Sequence, residues 1–157
     1  MKVMPTLEGG LRLDTEVEAD WDVLRAIVQD ATIKGDDLAT QLGALVSEEA
    51  GKVDWMELVV PDLREAFQDE LAEVGAAIET AAFHASGGPG PLWISRHDGA
   101  AWYSALNQAR LALEEIHKFG PEEKTNPNKL SPISRNALVR SRFYCAIQGL
   151  LLDYVMK

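Results

Sequence analysis

AWYSALNQARLALEEIHKF, residues Ala101–Phe119, sets Trp102, Leu106, Ala109, Leu113 and Ile116 at steps of four, three, four and three. Residues so spaced share one face of a helix, so the stretch reads as a helix with a core-facing seam. One position round runs a second stripe at the same spacing: Tyr103, Asn107, Arg110, Glu114 and His117. It is polar, yet it begins with an aromatic. Such a stripe is either a hydrogen-bonded seam between helices or a binding surface, and Tyr103, Asn107, Arg110 and His117 are its candidate binding residues. Gln148, an amide inside the apolar run of the last helical segment, needs buried partners, and Asn107 or Arg110 are the residues placed to supply them.

Working outward, the chain of 157 residues fits a single domain, 1–157. That length buries roughly 70% of the surface its unfolded form exposes, so no disulfide or metal is needed to hold it. No apolar run approaches the ~20 residues of a membrane span, and the opening MKVMPTLEGG lacks an apolar stretch of signal-peptide length. The lone Cys145 has no internal disulfide partner, which fits a reducing compartment. These features lead us to expect a cytoplasmic protein. Charge is unevenly spread: residues 1–95 hold 6 Lys/Arg against 19 Asp/Glu, whereas 96–157 hold 9 against 6. The halves attract each other, and the net charge of −10 disfavours nucleic acid as a partner.

In chain order, Val3, Leu7, Leu11 and Leu13 flank Glu8-Gly9-Gly10, a hairpin signal, and Pro5 confines that ribbon (1–14) to a sheet edge. Leu92-Trp93-Ile94 could add a third strand. Helices occupy 15–157. Thr15 and Glu18 have capping-box spacing ahead of a seam of Val17, Trp21, Leu24, Val28 and Ala31, with Lys34-Gly35 as the stop. Asp36 or Asp37 then caps a helix turning Leu38, Leu42, Leu45 and Val46 inward and closing at Gly51. Asp54 and Glu57 repeat the box spacing before Pro61, where a long helix begins with the seam Leu63, Phe67, Leu71, Val74, Ile78 and Ala81. The Ala101–Phe119 helix, capped by Ser95 or Asp98, stops at Gly120-Pro121. Residues 120–131 read as a solvated, mobile connector. Ser131-Pro132 opens the last helix, whose Phe143–Leu152 run is apolar nearly all round and is expected at the buried centre, with Cys145 in the core. The sum is a mainly α, single-domain bundle of about five helices with a small N-terminal β-hairpin.

Chemistry is hard to find in this pattern. His84, His97 and His117 lack metal-ligand spacing, and the adjacent carboxylates Asp36-Asp37, Glu48-Glu49 and Glu114-Glu115 point about 100° apart on a helix. The glycines 87, 88 and 90 precede Pro91 rather than a helix start, so no phosphate loop is formed. Lys129, Arg135, Arg140 and Arg142 make one basic run, best used to pair with the acidic helices. We therefore expect no catalytic residues, no metal and no cofactor.

The block Ala101-Trp102, Ala105-Leu106-Asn107, Arg110-Leu111-Ala112-Leu113 resembles the signature of an uncharacterised, mainly actinobacterial family catalogued as a domain of unknown function. Gly10-Leu11-Arg12-Leu13 before an acidic helix, Val60-Pro61-Asp62 and Gln148 are similar too. After Leu113 this chain departs, with Glu114-Glu115-Ile116-His117 in place of a Gly-Thr-Arg-Leu-like tail. The resemblance implies no established activity and no catalytic residues. The expectation is a non-catalytic protein-interaction or regulatory protein with a protein partner, a homodimer being one form of it. The alternatives are a small-molecule enzyme with a site around Tyr103, Arg110 and His117, and a DNA-binding regulator.

Overall fold

The computed structural model describes residues 1–33, 38–47, 55–121 and 125–157. Strands β1 (Lys2–Pro5), β2 (Leu11–Thr15) and β3 (Gly90–Ile94) form an antiparallel sheet in the order β1-β2-β3. The described α-helices are α1 (Glu18–Thr32), α2 (Leu38–Ser47), α3 (Val60–His84), α4 (Gly99–His117) and α5 (Pro132–Tyr154). A π-helical turn, Trp55–Val59, leads into α3, with Pro61 in the first turn where its missing N–H costs no bond. Among the described residues no helix is long and apolar enough to cross a membrane.

The hairpin forms as its glycines require. Gly9 takes φ +81, and a Cβ on Gly10 would sit 2.4 Å from the Ile94 carbonyl oxygen, so only glycine lets β2 start this close to β3. Leu11 and Leu13 then alternate inward opposite Ile94 and Leu92. Pro5 lies on the edge strand, as its missing N–H demands.

Helix α4 is the centre of the molecule. Trp102, Leu106, Ala109 and Leu113 are all buried, joined by Ala101, Ala105 and Gln108, and α1, α3 and α5 pack around it. The seam fails only at Ile116, 39% exposed, in the last turn of the helix. Burying the large members of such a seam contributes about 1.5–3 kcal/mol each.

Several expectations need correction. Thr15 does not cap α1: it stays in β2, its hydroxyl donating to the Gly90 carbonyl and accepting the Gly90 N–H, both at 2.9 Å. Asp20 takes the carboxylate role instead, accepting the N–H of Glu16 at 2.7 Å. Because α1 begins at Glu18, its buried face is Trp21, Leu24, Ile27 and Asp30, and Val17 is exposed. In α2 the small residues Ala39 and Gly43 turn inward while Leu45 points to solvent; small residues let this helix approach closely. The Phe143–Leu152 run is not the centre. Helix α5 covers one side of α4, leaving Cys145, Ala146, Gly149 and Leu152 exposed. Cysteine, alanine and glycine there expose little apolar area, which makes the position tolerable. The Lys34-Gly35 stop, the Asp36 or Asp37 cap, the Gly51 closure and the Asp54 box fall outside the described residues.

The connector carries local order where it is described. The Thr125 hydroxyl donates to the Phe119 carbonyl at 2.9 Å, and Pro127–Lys129 forms a short 3-10 turn capped by Asn126. Ser131 caps α5, its hydroxyl accepting the Ser134 N–H at 3.2 Å.

Candidate functional site

The polar stripe of α4 turns toward α5, and the sequence-identified residues have unequal fates there. Arg110 Nη1 donates to Gln148 Oε1 at 2.6 Å, and the Gln148 amide nitrogen donates to the Tyr103 carbonyl at 3.2 Å. Gln148 is 3% exposed, so this pair of bonds meets the requirement its burial creates. Tyr103 packs its ring against the core. His117 Nδ1 lies 3.1 Å from the Ser134 hydroxyl, and its ring stacks on Phe119 at 5.3 Å. Asn107 is half-buried, but among the described residues its side chain forms no hydrogen bond, so of the two residues placed to partner Gln148 it is Arg110 that does so. Arg110 Nε is buried without a partner among the described residues.

Tyr103, Arg110 and His117 follow at intervals of seven residues, so each is about 10 Å from the next along the axis. Side chains that far apart do not converge on one reacting atom. Among the described residues no three His, Cys, Asp or Glu gather closely enough to hold a metal ion.

Two polar clusters were not anticipated. Asp30, 4% exposed in the inward face of α1, is gripped by Arg140 through Nε at 2.7 Å and Nη2 at 2.8 Å, and accepts the Tyr144 hydroxyl at 2.7 Å. Burial, with that bond to Asp30, drives the Tyr144 phenol pKa far above its ordinary value, so it acts as a donor. The sequence signal was an acid at helical spacing behind Trp21, Leu24 and Ile27. Between α3 and α4, the Ser104 hydroxyl donates to Glu70 and buried Gln108 approaches the same carboxylate at 3.5 Å. Both clusters join helices, the first α1 to α5 and the second α3 to α4, and serve as scaffold.

A concavity lies elsewhere. A groove of about 680 Å³ runs between the C-terminal half of α3 and strand β3. Ala76, Ala77, Thr80 and Ala81 form its helical wall, and Leu92 and Trp93 lie on the strand side. Small side chains on α3 create the space. Trp93 stands on the lip, 58% exposed, with the Arg12 guanidinium 5.0 Å from its ring centre. The wall is held firmly from behind. Trp21 Nε1 donates to the Gly88 carbonyl at 2.8 Å, and Thr15 fixes Gly90 as described above. Composition singled out Leu92-Trp93-Ile94 only as a strand; the groove depends on a tertiary approach of α3 that no local pattern encodes.

A family model matches the chain over residues 6–155, that described as Domain of unknown function (DUF2017). No curated protein and no solved structure matches it.

Proposed function

The chain belongs to the DUF2017 family, and we propose that it is a non-catalytic protein-interaction or regulatory protein that holds a protein partner in the groove between α3 and β3. The observation that carries this reading is an open concavity with an alanine-rich wall and a large aromatic residue exposed on its lip. Water covers such a surface at a cost that a partner removes. Tyr103, Arg110 and His117 support it from the other direction, since their contacts are mostly spent on α5. A cytoplasmic setting suits the exposed, unpaired Cys145.

A second reading, a small-molecule enzyme around Tyr103, Arg110 and His117, has one point in its favour, the unpartnered Arg110 Nε. A DNA-binding regulator has less, because Arg140 of the basic run is committed to Asp30 and Arg135 to the carbonyls of Pro127 and Leu130. The test is capture from the native lysate with three baits: wild type, Thr80→Arg, which fills the groove from an exposed helical position, and Val139→Arg on α5 as a control. Chains retained by wild type and Val139→Arg but lost with an equally stable Thr80→Arg are the expected result. Equal capture by all three overturns the reading.

A further inference from the structure

Taking the docking role proposed above as its basis, we infer that the groove receives an extended segment of another protein, which pairs with the edge of β3 turned away from β2 and presents a lysine or arginine to Asp69 and Glu73. The direction of the groove is the first ground. Its strand wall is made by the consecutive residues Pro89 to Trp93. Neighbouring residues of a strand point to opposite faces, so a cavity touching all of them runs along the strand's edge rather than over one face. In the order β1-β2-β3 that edge has no strand partner among the described residues. Gly90 turns its N–H and carbonyl to Thr15 of β2, so by alternation the outer edge offers the Pro91 carbonyl and the N–H and carbonyl of Trp93 beside an apolar trough, where a bound segment becomes an added strand and alternate side chains fall into the trough.

Charge supplies the second ground. The groove-lining residues include no Asp, Glu, Lys or Arg. Along the same face of α3, one and two turns before Ala76 and Ala77, stand Glu73 and Asp69, both exposed. Among the described residues neither makes an ion pair or a side-chain hydrogen bond. An occupant is therefore apolar at alternate positions within the trough and basic at the end nearer the start of α3.

Pro91 decides against a second copy of this chain. It removes one N–H from a five-residue strand, so a pairing of two such edges lacks ladder bonds on both sides. A partner strand without proline loses only one.

The experiment uses the full-length protein and a displayed library of random peptides roughly twelve residues long, enough for a strand and its flanks. Selected peptides should alternate apolar and polar residues and carry Lys or Arg toward one end. Their affinity should fall about tenfold on Asp69→Lys/Glu73→Lys. It should fall further when alternate peptide amides are N-methylated, and exchange of the outward Trp93 amide should slow in the complex. Acidic or helical peptides, binding insensitive to N-methylation, or no enrichment over a Thr80→Arg control each overturn the inference. Lysate capture that still depends on Thr80 in those cases leaves the docking role standing without the strand pairing; capture indifferent to Thr80 removes both.

Discussion

Arg140 grips Asp30 with two parallel bonds, at 2.7 and 2.8 Å, across 110 positions of sequence. Such fork-to-carboxylate geometry is a strong form of charged hydrogen bond, and here it ties α1 to α5. The Tyr144 hydroxyl completes the shell of Asp30. Removing one partner of a buried pair costs more than the pair itself contributes, because the other is left desolvated and alone. Asp30→Asn should therefore lower unfolding free energy by about 3 kcal/mol in urea melts, and Tyr144→Phe by about 1 kcal/mol, since Arg140 still holds the carboxylate. A loss below about 1 kcal/mol for Asp30→Asn would mean that the clamp is ornamental.

Acid sensitivity follows from two other carboxylates. The backbone N–H of Glu16 holds the Asp20 pKa below its ordinary value, and the Ser95 hydroxyl does the same for Asp98. A depressed folded-state pKa means stability that is fully present above the unfolded value, about 3.9, and lost as pH falls through the folded one. The urea midpoint should thus decline below about pH 4. Asp98→Asn should be less stable near neutrality and decline less steeply. Parallel acid limbs for the variant and wild type would remove Asp98 from the account.

Cys145 is expected to react with a thiol reagent in the native protein, since it is exposed on the outer face of α5. The labelling rate in buffer should come within about tenfold of that in denaturant, where a core thiol is slowed by the full unfolding equilibrium. Protection by several orders of magnitude would return Cys145 to the core.

How much of this was legible follows from what each signal measures. The α4 seam was readable because Trp102, Leu106, Ala109 and Leu113 are large or closely packed and meet neighbours on three sides. The Pro5 edge and the Gly9-Gly10 turn were readable because backbone constraints are local. Hydrophobicity alone misled at α5: Phe143–Leu152 is apolar all round, yet burial depends on what is packed outside it, and nothing among the described elements covers Gly149. Asp30 was missed for the converse reason. A charge in a seam looks like a helix face turned outward until Arg140 arrives from far along the chain. Of the stripe, Arg110 and Gln148 were paired correctly, while the groove beside Trp93 had no sequence signature.

That stripe gives the last prediction, and its residues should separate cleanly. Asn107 makes no side-chain hydrogen bond among the described residues, so Asn107→Ala leaves nothing newly unpaired and should shift stability by less than about 0.5 kcal/mol. Gln148→Leu is different. It strips the acceptor from Arg110 Nη1 while the buried Nε is already unpartnered, leaving a half-buried cation with a second donor unmet. The expected cost is about 2–3 kcal/mol, the range for an unsatisfied charged donor. Arg110→Met in the same background removes the orphaned charge, so the double variant should recover part of that loss. A coupling of about 1 kcal/mol or more in the double-mutant cycle would mark the pair as a single structural unit. Additive losses would mean that Arg110 draws its stability from contacts other than Gln148.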